Sequence, residues 1–277
     1  MAPGSARDPC QSRQAGNAVS DQTTAPAARV LLAGESWHSY SVHQKGFNAY
    51  YTSAYDEGHQ PLSAALRASG FELAYLPNHQ AVRDFPRTLD ALQAWDVVIL
   101  SDIGSDTLLL HPETFGGGRV SGDPLSALRD WVGEGGGLLM IGGYLSFTGF
   151  MGQARYGMTA LADALPVLLM PTDDRVERPD GVAPTVDASV EDFGVLDGIK
   201  GPWPTFLGYN RFVARPRTSV PLRVGADPFL VLGEHGAGRV AAFASDCSPH
   251  WGSTSFTEWR HYRRFWANLV RWLAGPA

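Results

Sequence analysis

Short apolar runs alternate with amphipathic segments along the first half of the chain. Apolar runs that end at Gly, Ser or Asp are typical of buried strands, whereas apolar positions three and four residues apart are typical of helices. Buried strands that alternate with helices form a mostly parallel sheet with helices on both faces, so the pattern predicts an α/β fold. The predicted strands are residues 29–33, 71–76, 96–100 and 138–141, and the predicted helices are residues 61–70, 89–94 and 124–133.

The last third of the chain is less regular. Residues 229–232 and 239–244 are apolar runs separated by the glycine-rich segment 236–238, which predicts two strands joined by a tight turn. Residues 259–273 have helical spacing, and we expect this helix to pack on the sheet. Residues 171–184 are rich in Asp, Arg and Pro, which predicts a polar loop whose charged side chains form ion pairs with one another.

The first 28 residues differ in composition from the rest. They are rich in Ala, Ser, Gln, Pro and Gly, and they contain no apolar run that would offset the entropy cost of ordering. We therefore predict a disordered tail over residues 1–28 and a single domain over residues 29–277. The tail also lacks the apolar stretch of a signal peptide, which argues against secretion.

Charge and cysteine content exclude several functions. The chain has 28 acidic residues and 22 Lys and Arg residues, giving a net charge of −6, whereas nucleic-acid binding requires a basic surface. No segment approaches the roughly 20 apolar residues of a membrane span, so we expect neither nucleic acid nor membrane as a partner. With only two cysteines a disulfide framework is not expected, which favours a cytoplasmic location.

Chemically capable side chains follow four of the predicted strands. Ligands of open α/β sheets bind outside the carboxyl ends of the strands, so these loops are where a site is expected. The candidate catalytic residues are Glu35, Asp102, Cys247 and His250. An imidazole near a thiol can lower its pKa and make it nucleophilic. Alternatively, Cys247 is a packed core residue and the carboxylates cap helices or turns.

Other residues of the same loops are candidates for ligand binding. Aromatic side chains can line a sugar-like or planar ligand, and backbone N–H groups of a glycine turn can bind an anion, although packing and turn formation explain both features. The candidates are Trp37, His38, Gly143, Tyr144, Asp246 and Trp251. Dinucleotide and P-loop motifs are absent, and His38, His43 and the nearby carboxylates have no recognised metal-ligand spacing. We therefore expect a small-molecule ligand, no metal and no cofactor.

Six motifs follow one another along the chain: Glu35-Ser36-Trp37-His38, Lys45-Gly46-Phe47, Ser101-Asp102-Ile103-Gly104, the segment from Gly135 to Tyr144, Phe206-Leu207-Gly208-Tyr209-Asn210 and the segment from Ser245 to Gly252. Their order, from about Val30 to the C-terminus, resembles an uncharacterised cytoplasmic group of glutamine amidotransferase-like proteins. The resemblance implies the class I glutamine amidotransferase-like fold, a flavodoxin-like three-layer sandwich.

The sequence departs from that family at the residues that would carry catalysis. An active class I amidotransferase has a nucleophilic Cys in a G-x-C-x-G elbow after a central strand, whereas here Gly142-Gly143-Tyr144 follows the strand. The later segment 246–250 lacks the Glu of the family's His-Pro-Glu pattern. This degenerate elbow predicts loss of glutaminase activity and leaves three readings: a binding domain, a hydrolase or lyase using Cys247 and His250 with Asp102 or Glu35, or a subunit with a role in assembly. A homo-oligomer is compatible with each reading.

Overall fold

The structure is a computed structural model that describes Met1 and residues 28–275, so the predicted tail lies almost wholly outside the described residues. The strands are β1 (Arg29–Gly34), β2 (Ser36–Lys45), β3 (Asn48–Glu57), β4 (Glu72–Leu76), β5 (Val97–Ser101), β6 (Gly137–Ile141), β7 (Val167–Leu169), β8 (Arg175–Val182), β9 (Thr185–Val186), β10 (Phe206–Asn210), β11 (Phe212–Ala214), β12 (Ser219–Val224), β13 (Asp227–His235) and β14 (Gly238–Phe243). The α-helices are α1 (Gln60–Arg67), α2 (Asn78–Asp84), α3 (Leu89–Leu92), α4 (Ser105–Leu109), α5 (Pro112–Phe115), α6 (Pro124–Gly133), α7 (Thr254–Thr257) and α8 (Tyr262–Ala274). Three short 3₁₀ helices cover Phe150–Gly152, Tyr156–Met158 and Ala160–Asp163.

An eight-stranded sheet in the order β4-β1-β5-β6-β14-β13-β12-β9 forms the centre of the molecule. The first five strands are parallel, and the last three are antiparallel. Taken in chain order, the parallel strands follow the flavodoxin-like arrangement 2-1-3-4-5. The predicted α/β fold with a mostly parallel sheet is thereby confirmed, as is the turn that joins β13 to β14.

Helices pack against the sheet in two groups. Helices α1 and α8 contact each other, and α8 also contacts β14, β6 and β5. Helices α3 and α6 contact each other, and α6 also contacts β14. Every residue of β5 and β6 is buried, because these central strands are covered on both faces.

Two polar segments form strands that the hydrophobic pattern did not predict. Strands β2 and β3 form a separate antiparallel hairpin whose residues are almost all exposed. The predicted loop at residues 171–184 is wrong in part, because β8 lies within it and pairs with β10. The expected ion pairs do form there, since Arg175 contacts Asp173 at 2.9 Å.

Candidate functional site

The carboxyl ends of β1 and β5 lie side by side where the strand order reverses, the position at which open α/β sheets bind ligands. Each strand is followed directly by an acidic residue with positive φ, 51° at Glu35 and 45° at Asp102. Such conformations are uncommon for residues other than glycine and concentrate at functional sites. The backbones are also very close, because a Cβ on Gly34 would lie 1.7 Å from the carbonyl oxygen of Ser101.

A cavity of about 480 Å³ opens at this edge, within the usual size range of small-molecule sites. The loops after β1, β5, β6 and β14 all contribute to its wall, as expected for the carboxyl ends of parallel strands. The lining residues are Glu35, Trp37, Asp102, Tyr144, Leu145, Phe150, Asp246, Ser248, Pro249 and His250. The structure therefore brings together six residues singled out from the sequence: Glu35, Trp37, Asp102, Tyr144, Asp246 and His250.

Glu35 is a buried carboxyl group held by hydroxyl groups. Glu35 is only 2% exposed, and its Oε1 atom accepts a hydrogen bond from the Ser101 hydroxyl. Its Oε2 atom accepts another from Ser248 Oγ at 3.0 Å. Burial, reinforced by the negative charges of Asp246 and Asp102, raises the pKa of Glu35 well above its usual value. Glu35 is thus favoured in its protonated form, in which it can donate a hydrogen bond.

Asp102, Asp246 and His250 form the ionisable part of the cavity wall. Burial and the charge of Asp246 raise the pKa of Asp102 to about 6, although Leu145 N–H donates to its Oδ1 atom at 2.7 Å. The Nδ1 atom of His250 lies 3.4 Å from Oδ2 of Asp246, and this contact raises the pKa of His250. Asp102 and His250, two groups whose pKa values are raised, therefore share one cavity, an arrangement suited to proton transfer.

Cys247 lies beneath the cavity and is not part of its wall. The residue is 0% exposed, and its Sγ atom lies 3.6 Å from Glu35 Oε1 and 3.7 Å from Ser101 Oγ. Burial raises the pKa of the Cys247 thiol well above its usual value, which disfavours the thiolate that a nucleophile requires. No imidazole among the described residues hydrogen-bonds to this sulfur, so the geometry opposes the catalytic role considered for Cys247.

The glycine elbow after β6 has no room for a nucleophilic side chain. A Cβ on Gly142 would lie 2.3 Å from the carbonyl oxygen of Ala244, and one on Gly143 would lie 2.8 Å from Oδ1 of Asp102. The nearest hydroxyl, on Ser146, donates to the carbonyl oxygen of Ile141 at 2.5 Å and is buried. The elbow therefore lacks both a nucleophile and the space that one would occupy.

Three residues proposed as ligand contacts lie off the cavity wall. His38 belongs to the exposed hairpin, where its ring contacts Tyr55. The Gly143 N–H donates to Oδ1 of Asn210 at 2.9 Å and is not free for an anion. Trp251 is 1% exposed and donates from Nε1 to Glu177 at 3.0 Å, so it supports the wall from behind.

Two charged residues of β8 contact the aromatic side chains of the cavity wall, Tyr144 and Phe150. Glu177 accepts a hydrogen bond from the Tyr144 hydroxyl at 2.9 Å, and the Arg175 guanidinium lies 4.7 Å from the Tyr144 ring centroid and 4.0 Å from that of Phe150. The sequence suggested only solvated ion pairs for this charged run. No feature of the sequence selects Phe150, because it lies in a short 3₁₀ helix beyond the loop residues that directly follow β6. Ser248 and Pro249, in contrast, belong to the segment from Ser245 to Gly252 that carries the family resemblance, and they directly precede His250.

Glu35, Asp246 and Cys247 place one potential metal-ligating atom each within 4.8 Å of one another. Both oxygens of Glu35 already accept hydrogen bonds, and Oδ1 of Asp246 accepts the Ser248 N–H at 3.1 Å. The raised pKa of Cys247 also disfavours the thiolate that would bind a metal. The cluster is accounted for as a buried hydrogen-bond network.

Fold and site together place this chain in a class of amidotransferase-like α/β proteins. A family model described as "Putative glutamine amidotransferase" matches residues 29–275, and the chain belongs to that family. It is similar to the Cytoplasmic Protein STM3548 from Salmonella typhimurium, with 43% identity over 88% of this chain and 98% of that one and a TM-score of 0.85. The Cytoplasmic Protein STM1381 from Salmonella typhimurium LT2 is similar at 44% identity over 88% of this chain and 99% of that one, also with a TM-score of 0.85. No curated protein matches the chain.

A more distant solved structure, a ThuA-like protein from Bacteroides uniformis, shares the fold alone, at 12% identity over 92% of this chain and 95% of that one with a TM-score of 0.53. Both Salmonella proteins are described as cytoplasmic, in agreement with the location predicted from the sequence. Within the part of the chain that the structure describes, no helix has the length and apolarity needed to cross a membrane.

Proposed function

We propose that this chain binds a small polar molecule rich in hydrogen-bond donors at the carboxyl edge of its sheet, and that it does not hydrolyse glutamine. The observation that carries the proposal is the composition of the cavity wall. Asp102 and Asp246 present carboxylate acceptors, whereas His250 is the only basic residue among the described residues that line the cavity. Hydroxyl or ammonium groups of a ligand could donate further hydrogen bonds to these carboxylates, whose oxygens accept more than one, and a phosphate or carboxylate would be repelled by them.

The aromatic side chains narrow the shape of the ligand. Trp37 and Tyr144 line the same cavity as the carboxylates, together with Phe150. Aromatic faces beside hydrogen-bonding groups suit a ring that is apolar on its faces and polar at its edge. A small polyhydroxylated or amino-substituted ring fits this combination.

The ligand class can be tested by thermal shift with a panel of neutral sugars, polyols and amino sugars against sugar phosphates and dicarboxylates. A ligand present at about 100 times its Kd adds about 2.7 kcal/mol of stability, which raises the Tm by roughly 5–10 °C in a chain of this size. We expect donor-rich neutral or cationic compounds to raise the Tm and the anionic compounds to leave it unchanged.

Two aromatic variants show whether the shift comes from this cavity. Trp37→Ala removes a wall residue that is 42% exposed, and Phe193→Ala removes an aromatic residue of similar exposure, 47%, outside the cavity. The Tm shift should fall in Trp37→Ala and persist in Phe193→Ala. Preferential binding of the anionic compounds, or an unchanged shift in Trp37→Ala, would contradict the proposal.

Glutaminase activity is expected to be absent from the wild-type chain. The elbow holds Gly142 and Gly143 in place of a nucleophile, and the thiol of Cys247 is buried below the cavity. Ammonia release from glutamine should equal that of a heat-inactivated sample. Release above that level that disappears in Cys247→Ala would show that Cys247 acts as the nucleophile in spite of its burial.

A second candidate function is proton-transfer catalysis on the bound molecule, by a hydrolase or lyase mechanism. It is favoured by the pKa of about 6 at Asp102 and by the raised pKa of His250, since both groups line the same cavity. A compound identified by thermal shift would then be converted by the wild type. Asp102→Asn would abolish the conversion while retaining binding, whereas a pure binding protein leaves the compound intact.

A further inference from the structure

The hairpin of β2 and β3 is a projection that the candidate site does not explain. Each strand has ten residues, so the hairpin is about 33 Å long at the usual rise of about 3.3 Å per residue. Among residues 28–275 it pairs with no other strand. A two-stranded hairpin is at best marginally stable alone in water, and this one has apolar surface exposed on it.

One face of the hairpin, which we call the aromatic face, contains Tyr40, Val42, Tyr51 and Tyr55. The register pairs Val42 with Tyr51, and side chains alternate along a strand, which places these residues on the same side. Tyr40 is 79% exposed, Tyr51 76% and Val42 64%. Contiguous exposed apolar surface of this kind marks an interaction site.

The edges of the hairpin also lack the usual protection against pairing with another chain. Natural edge strands are blunted by proline, bulges, short length or several charged residues. Neither strand contains proline, the register runs without a bulge, and residues 38–55 carry a single Lys, Lys45, and no acidic residue. The hairpin is therefore free to associate through its face and its edges.

We infer that the hairpin is a dimerisation arm, whose aromatic face packs against the same face of a second copy of this chain about a twofold axis. The size of the exposed aromatic area supports a second copy of the chain as the partner that packs on the aromatic face. With Phe47 at the tip, 109% exposed, the aromatic side chains of this face and tip offer roughly 500–800 Å² per copy before the backbone is counted. A standard stable interface buries about 800 Å² per partner, and a twofold dimer uses one patch twice.

Charge also favours a second copy. The chain has a net charge of −6, so two copies repel each other over most of their surfaces. Residues 38–55 contain no acidic side chain and one Lys, so repulsion is weakest where the two hairpins meet. The arm begins beside the cavity, since Trp37 belongs to both β2 and the cavity wall. Dimerisation would thus fix the base of the arm next to the bound ligand.

Sedimentation equilibrium of the full chain tests the arm. We expect the wild type to have twice the 29.9 kDa mass of one chain and Tyr40→Thr/Tyr51→Thr to have the single-chain mass, with a dimer Kd about 100-fold weaker or more. Threonine favours strands, which preserves the hairpin. The matched control is Phe115→Thr/Met158→Thr, which removes side chains 78% and 80% exposed outside the hairpin and should stay dimeric.

Hydrogen exchange of the wild type gives a second measurement should the double variant fail to fold. The amides of β2 and β3 should become protected as the protein concentration rises through the dimer Kd. The inference is overturned by a wild-type chain of 29.9 kDa at every concentration, by a double variant that remains dimeric, or by hairpin protection that is independent of concentration. None of these outcomes depends on whether the cavity binds a ligand.

Discussion

Asp174→Ala is expected to lower the free energy of unfolding by about 3 kcal/mol and the Tm by roughly 6–12 °C. Asp174 is 3% exposed, and its carboxylate accepts hydrogen bonds from Thr148 N at 2.9 Å, Gly149 N at 3.0 Å and Asn210 Nδ2 at 2.8 Å. Alanine leaves these three buried donors without their acceptor. Each such loss costs about 1–3 kcal/mol, and the removal of a desolvated carboxylate offsets part of the sum.

The same substitution should disturb the cavity, because Asn210 holds the Gly143 N–H at the elbow and the loop at Thr148 precedes Phe150 in the wall. Asp180→Ala is the matched control, since the Asp180 side chain is 69% exposed and pairs only with Arg178 among the described residues. Its Tm should lie close to that of the wild type. Equal melting temperatures for Asp174→Ala and Asp180→Ala would show that the buried network does not hold the wall.

The second large effect concerns pH. The wild-type Tm is expected to fall as the pH rises from about 5 to about 8. Asp102→Asn should make this decline less steep. It should also raise the Tm at about pH 8 by a few degrees, the change expected for a gain of about 1 kcal/mol in the free energy of unfolding. Asp102 has a pKa of about 6 in the folded chain and near 3.9 when unfolded. Between these values the folded chain binds more protons than the unfolded chain, so stability falls as pH rises.

Neighbouring groups act in the same direction. The raised pKa of Glu35 again favours the folded chain at low pH, and the raised pKa of His250 gives stability that is lost as pH rises through it. Asp173, with a pKa of about 2, loses its contribution only below about pH 4, outside this range. Asp90→Asn, at an exposed position, is the control and should retain the wild-type slope. A wild-type Tm that rises steadily from about pH 5 to about pH 8 would contradict the assignment of raised pKa values.

The parallel sheet was predictable because its strands are buried on both faces. Strands such as β5 and β6 then appear as continuous apolar runs, and the helices between them have their own apolar periodicity. The convergence of Glu35, Asp102 and His250 at one edge follows from the same rule, since parallel strands have all their carboxyl ends on one side. The four loops could therefore be placed together without coordinates.

The polar strands could not be found by the same rule. Both faces of β2 and β3 are exposed, so no alternation of apolar and polar residues marks them, and β8 consists mainly of charged and turn-forming residues. Pairing with a partner strand, which the local sequence does not encode, decides their conformation. The hydrophobic pattern therefore predicts neither the hairpin of β2 and β3 nor the contacts that β8 makes with Tyr144.

The position of Cys247 also depends on information beyond its local sequence. Asp246, Cys247 and Ser248 are consecutive, yet only Asp246 and Ser248 line the cavity. Which residues of a loop face a cavity is set by the surrounding packing, here the contact of the Cys247 sulfur with Glu35 and Ser101. The thiol of Cys247 and the imidazole of His250 are three residues apart in sequence, yet His250 lines the cavity and Cys247 is buried beneath it.

The most direct test of the proposed binding site is a crystal structure of the chain with the compound that raises the Tm most. We expect that compound between Trp37 and Tyr144, with its hydroxyl or ammonium groups within hydrogen-bond distance of Asp102 and Asp246. A compound bound elsewhere on the protein, with the cavity at the carboxyl edge filled only by solvent, would contradict the proposal.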